Sequence, residues 1–112
     1  MQVIANGLVI ADSNNTVVVE GNHYFPPSDV KTELFSKSAT SSVCPWKGTA
    51  AYYDASVDGK DISDIAWYYP SPSSKASHIK DHVAFYKVDH AYTHICGILL
   101  IKTSSQNKVQ FA

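Results

Sequence analysis

Two dipeptides, Asn6-Gly7 and Asp58-Gly59, constrain the fold of this chain more than any other feature. Each interrupts a run of apolar and β-branched residues. A tight hairpin turn of type I′ needs positive φ at both central residues, which Asn, Asp and Gly tolerate best. The flanking Val, Ile and Tyr residues fit a pleated, half-buried surface. The sequence therefore predicts a mainly β fold built from hairpins.

The rest of the chain is predicted to continue in the same style, with short strands between polar turns. Strands are expected at 16–20, 23–25, 49–57, 60–69 and 83–86, and turns at 12–15 and 21–22. The first strands would form a β-meander. After Pro26-Pro27, the spacing of Val30, Leu34 and Phe35 predicts a short helix over 28–36. The small polar residues of 37–42 predict a loop, and one helical turn is predicted within 73–79.

Composition limits the class of protein and its partners. The 112 residues, 45% of them hydrophobic, suit one domain with one core. The basic residues are all Lys, and duplex nucleic acid is therefore not expected as a partner, because its recognition relies on Arg. No apolar run could span a bilayer and no leader is recognisable, so a soluble, cytoplasmic domain with Cys44 and Cys96 as free thiols is expected.

The segment Cys44-Pro45-Trp46-Lys47-Gly48 is chemically the most diverse. A Lys47 ammonium near Cys44 would lower the thiol pKa and favour the reactive thiolate, which makes Cys44 and Lys47 candidate catalytic residues. Cys44 could equally be an inert thiol packed under Trp46. Gly48 permits close backbone approach to an anion, although a turn glycine beside a solvated lysine has the same signature.

Aromatic residues and one histidine complete the candidate site. Tyr24, Trp46, Trp67 and Tyr69 could stack on a planar ligand, or they could belong to the core. His23 is a candidate general base, with a hydrogen-bonding role at the core edge as the alternative. The remaining histidines form pairs four residues apart outside any clear helix, and neither a metal nor a cofactor is expected.

Four strings, at 22–27, 44–50, 66–70 and 82–86, resemble in order and spacing the bacterial family called domain of unknown function 427. The resemblance covers residues 1–88 as a single β domain and leaves 89–112 as an atypical extension that could self-associate. It implies a compact, strongly bent β-sheet domain of the Mss4-like type, with a nucleotidyltransferase label. Zinc is not carried over because Cys-x-x-Cys pairs are missing, and the absence of Asp-x-Asp weakens that label.

Two hypotheses follow from these residues. In the first, the domain binds a small planar or anionic metabolite near Cys44 and Lys47, and it could act as a nucleotidyltransferase-like enzyme. In the second, it is a non-catalytic β interaction module whose aromatic residues define the core.

Overall fold

The computed structural model describes residues 1–85, 92–95, 98–101 and 109–111. The predicted mainly β class is confirmed, and the described helical segments are short 3₁₀ turns. The strands are β1 Gln2–Ala5, β2 Leu8–Asp12, β3 Val17–Val19, β4 Asn22–Phe25, β5 Phe35–Cys44, β6 Gly48–Val57, β7 Lys60–Tyr68, β8 Val83–Phe85, β9 Tyr92–Ile95, β10 Ile98–Ile101 and β11 Val109–Phe111. The 3₁₀ turns are Pro27–Asp29, Thr32–Leu34 and Ser74–Ile79. The Mss4-like type stays a prediction.

Both predicted tight hairpins are confirmed by their backbone angles. Asn6 and Gly7 have φ of 49° and 79°, and Asp58 and Gly59 have φ of 53° and 75°. A third turn of the same kind lies at Glu20-Gly21, with φ of 54° and 77°. The predicted turn at 21–22 is therefore one residue too late, because Asn22 already begins β4.

The predicted β-meander is wrong, because the first two hairpins belong to different sheets. β1 lies between β2 and β11 in one antiparallel sheet. β3 and β4 belong to a six-stranded antiparallel sheet of order β3-β4-β8-β7-β6-β5. In the polar turn after β2, Ser13 N–H donates to Met1 O at 3.0 Å. After this turn the chain leaves the first sheet and enters the six-stranded one.

The predicted helix over 28–36 and the predicted loop over 37–42 are also wrong. Val30 forms an antiparallel bridge with Ala11, and Lys31 N–H donates to Ile10 O at 2.9 Å. These bonds to β2 interrupt the helix after one turn. The small polar residues of 37–42 lie in β5, an edge strand along which only Cys44 is buried. A small polar composition suits a strand that faces solvent as well as it suits a loop.

Bulges bend the long β5–β6–β7 region. Pairing shifts between Lys37 and Ser41 on β5, and β6 and β7 are shifted around Asp54. Asp64 adopts a left-handed φ of 52°, and its backbone N–H donates to Asp54 Oδ1 at 2.9 Å. The Asp64 carboxylate accepts hydrogen bonds from the Ser38 and Thr40 hydroxyls at 2.5 and 2.8 Å. Asp54 and Asp64 therefore hold the bulges in place.

The six-stranded sheet has buried side chains on both faces. Neighbouring residues on a strand point in opposite directions, so one strand contributes side chains to both faces. Phe25 and Tyr24 illustrate this alternation on β4, as do Ala66 and Trp67 on β7. The apolar core, toward the β1–β2 hairpin, comprises Val3, Ala5, Ile10, Ala11, Phe25, Val30, Ala55, Val57, Ile62, Ile65, Ala66, Val83 and Phe85. The aromatic cluster, on the other face, comprises Tyr24, Cys44, Ala50, Tyr52, Trp67, Tyr69, Ala76, Ile79 and Ala84.

The C-terminal strands are described only by their pairing. β9 and β10 pair with each other, and β11 pairs with β1. The predicted self-association of 89–112 depends on residues that lie largely outside the described ones. The last residue of the predicted strand 83–86 also lies outside them. Among the described residues, no helix has the length and apolar character needed to cross a membrane.

Candidate functional site

The loop 45–47 joins β5 to β6 and packs against residues 71–73. Cys44 and Gly48 form the last pair of the hairpin. Ser73 N–H donates to Lys47 O at 2.9 Å, and the Ser73 hydroxyl donates to Trp46 O at 2.5 Å. Gly48 has a φ of 116°, and a Cβ there would approach Ser71 O to 3.2 Å. The conformation and the tight packing both require glycine at this position.

Lys47 extends into the interior and is fully buried, although the sequence presents it as a loop lysine. Its Nζ forms an ion pair with Glu20 Oε1. The lysine side chain has 0% exposure and the glutamate side chain 20%, so the pair reaches the surface on the glutamate side. A buried ammonium needs such a partner, because an uncompensated charge in the interior is costly.

Two aromatic rings enclose the same ammonium. Lys47 Nζ lies 5.0 Å from the centroid of the Trp46 ring and 5.5 Å from that of Tyr69. The electron-rich faces of these rings attract a cation. Burial nevertheless lowers the pKa of the Lys47 ammonium from 10.5 to about 8. The lowered pKa reflects the loss of hydration around the charged form of the lysine.

Glu20 was missed in the sequence analysis. It occupies the first left-handed position of the β3–β4 turn, where Asn, Asp or Gly would be expected and where a longer side chain is strained. A glutamate that replaces the usual turn residue beside Gly21 was the available signal. Which lysine it pairs with depends on the packing of the β3–β4 hairpin against the 45–47 loop.

Cys44 is disulfide-bonded, which corrects the expectation of a free thiol. It is 2% exposed and lies in the aromatic cluster, where its Sγ accepts a hydrogen bond from Lys47 N–H at 3.4 Å. In this state Cys44 offers no thiolate for nucleophilic attack. Disulfides are typical of oxidising compartments, so Cys44 gives no support to a cytoplasmic location, which stays a prediction.

Tyr24, Trp67 and Tyr69 lie together inside the aromatic cluster, where each is fully buried. Trp67 Nε1 donates to the Tyr24 hydroxyl at 3.1 Å, and the two rings meet edge to face at 6.4 Å. Tyr24 and Tyr69 are tilted neighbours at 6.5 Å. Trp46 differs from them, because 37% of its surface is exposed. Of the four aromatic candidates, Trp46 is the accessible ring.

His23 lies on β4 next to Tyr24, and side-chain alternation directs it to the opposite face of the strand. It is half-buried, and its Nδ1 forms a hydrogen bond with the Thr16 hydroxyl at 2.9 Å. This contact matches the hydrogen-bonding alternative for His23. Its role as a general base stays a prediction.

The concave region that the structure describes lies away from these residues. A groove of about 540 Å³ is lined by Glu33, Leu34, Phe35, Ser36, Asp54, Ala55, Ser56, Asp61, Ile62 and Ser63. None of the predicted site residues lines it. Within the described part of the chain, no group of three or more His, Cys, Asp or Glu residues could hold a metal ion.

Comparison with known proteins agrees with the motif-based resemblance. The family model described as domain of unknown function (DUF427), which also carries a nucleotidyltransferase label, matches residues 1–94. No curated protein matches the chain.

Proposed function

This chain belongs to the DUF427 family, and we propose that the domain binds a small planar anion. The charged group of the anion contacts the Lys47 ammonium, and its planar part stacks on the Trp46 ring. The observation that carries the proposal is the buried Lys47 ammonium, which is paired with a carboxylate from a strained turn position. The Glu20 carboxylate occupies the position that a ligand carboxylate or phosphate would take.

Exchange of Glu20 for a ligand is physically reasonable because the two partners differ in burial. Glu20 is at the tip of a hairpin and is partly solvated, so its carboxylate can rotate into water at little cost. Lys47 cannot reach water without disturbing the loop, and it therefore needs another anion when Glu20 leaves. The exposed indole of Trp46 lies beside the same ammonium and offers a face for stacking.

A nucleotide is the appropriate first probe. Adenosine 5′-monophosphate combines a planar base with a phosphate, and the nucleotidyltransferase label of the family points to the same chemistry. Ribose 5-phosphate is the matched compound that keeps the phosphate and lacks the base. Isothermal titration calorimetry at fixed low salt would compare the two, with AMP expected to bind more tightly by stacking on Trp46.

Two substitutions should move AMP affinity in opposite directions. Lys47→Met removes the cation and should weaken binding by at least about tenfold, whereas Glu20→Gln removes the competing carboxylate and should tighten it by about tenfold. Lys60→Met, which replaces an exposed lysine, is the control and should change little. Equal affinity of the wild type and Lys47→Met would contradict the proposal.

The second candidate is a non-catalytic interaction module. It is supported by Val43 and Trp46, which are 73% and 37% exposed at the same end of the β5–β6 hairpin. Such a domain would bind no AMP and would associate as its concentration rises in sedimentation velocity experiments. Val43→Ser should reduce that association and leave AMP titrations unchanged, which separates the two candidates.

A further inference from the structure

The Tyr69 hydroxyl is the unusual polar group of the aromatic cluster. Tyr69 is fully buried, and its hydroxyl has no hydrogen-bond partner among the residues that the structure describes. Two other phenols of the same cluster are satisfied: the Tyr24 hydroxyl accepts from Trp67 Nε1, and the Tyr52 hydroxyl bonds with the Ser42 hydroxyl at 2.9 Å. A buried hydroxyl without a partner destabilises the folded state.

Packing alone does not explain a tyrosine here. A phenylalanine ring would fill the same space beside Tyr24 and would present the same face to Lys47 Nζ. Burial raises the pKa of the Tyr69 phenol, so the hydroxyl keeps its proton and is available as a donor. The hydroxyl is therefore the only part of the side chain that lacks a structural role, and it belongs to the ring that contacts the Lys47 ammonium.

We propose that the Tyr69 hydroxyl donates a hydrogen bond to the same anionic group that Lys47 binds. This inference rests on the proposed function and narrows its ligand class. A phosphate or a carboxylate suits this pair of donors, because its oxygens offer several lone pairs to the ammonium and the hydroxyl together. Lys47 supplies the charge, and Tyr69 supplies an uncharged, directional hydrogen-bond donor.

The test is Tyr69→Phe, with Tyr52→Phe as the matched control. Tyr69→Phe should raise the melting temperature of the free protein by about 4 °C, since it removes an unsatisfied buried group and keeps the ring. It should also weaken AMP binding by about tenfold. Tyr52→Phe should lower the melting temperature, because Ser42 loses its partner, and should leave AMP affinity unchanged.

Each other outcome overturns the inference in a recognisable way. If Tyr69→Phe lowers the melting temperature, the hydroxyl already has a partner in the free protein. If the variant is stabilised but binds AMP as the wild type does, Tyr69 does not contact the ligand, while an effect of Lys47→Met would still support the proposed function. If the wild type does not bind AMP, or if Lys47→Met leaves binding intact, the proposed function and this inference both fail.

Discussion

The two faces of the six-stranded sheet differ in chemistry. The apolar core contains only hydrophobic side chains, with Phe25 and Phe85 packed edge to face at 5.7 Å. The aromatic cluster contains phenols, an indole and a disulfide-bonded cysteine, and the buried Lys47 lies against it. Hydrophobic burial on the first face stabilises the fold, whereas the second face includes groups that cost stability. Such costs are typical of positions selected for function.

The largest expected effect tests the role of the apolar core. Phe85→Ala should lower the free energy of unfolding by about 3–5 kcal/mol, because it removes a buried ring and leaves a cavity. Urea denaturation followed by tryptophan fluorescence would measure the change. AMP affinity of the folded fraction should stay unchanged. A loss below about 1 kcal/mol would mean that this face is less well packed than its burial indicates.

The next effect concerns the asymmetry of the ion pair. Glu20→Gln leaves a fully buried ammonium without its counter-charge and should destabilise the protein by about 3 kcal/mol at pH 7. Lys47→Met leaves a glutamate that can turn into water, and it should be close to neutral or stabilising. The measurement is the urea midpoint of each single variant. Equal losses would show that the pair is symmetric and that the difference in exposure is unimportant.

The smallest expected effect is a pH dependence that belongs to Lys47 alone. Its folded pKa of about 8 is below the unfolded value of 10.5, so between these values the unfolded state binds more protons. The free energy of unfolding should therefore rise with pH in this window, by about 1 kcal/mol per pH unit near pH 9. Below pH 8 the cost of the buried charge is fully present, and it disappears as the pH approaches 10.5.

The control for this measurement is Lys47→Met, and the quantity to follow is the difference between the wild type and that variant. Burial raises the pKa values of Tyr24, Tyr53 and Tyr69, so unfolding above pH 10 is favoured by tyrosine ionisation in both proteins. Measurements from pH 7.5 to 9.5 avoid most of this contribution. A difference that stays flat across the window would show that Glu20 holds the lysine at its ordinary pKa.

Local sequence determined the parts of the fold that depend on neighbouring residues. Asn6-Gly7 and Asp58-Gly59 form the predicted turns because positive φ is a property of those residue types. The strand β6 follows from its own aromatic and β-branched residues. The edge strand β5 was missed for a related reason: its Ser and Ala residues carry no strong preference, and pairing with β6 decides their conformation.

The candidate site depends on contacts between segments that are distant in the sequence. The Cys-Pro-Trp-Lys-Gly segment forms the loop that carries Lys47, and Tyr24, Trp67 and Tyr69 lie together in the aromatic cluster. Whether a lysine is solvated or buried, and whether a tyrosine hydroxyl has a partner, depends on side chains that arrive from other strands. Glu20 and Lys47 are 27 residues apart in sequence. By itself the sequence determined the hairpins and the chemical groups; the tertiary structure decided which charges and hydroxyls are buried together, because burial and pairing are properties of packing between distant segments.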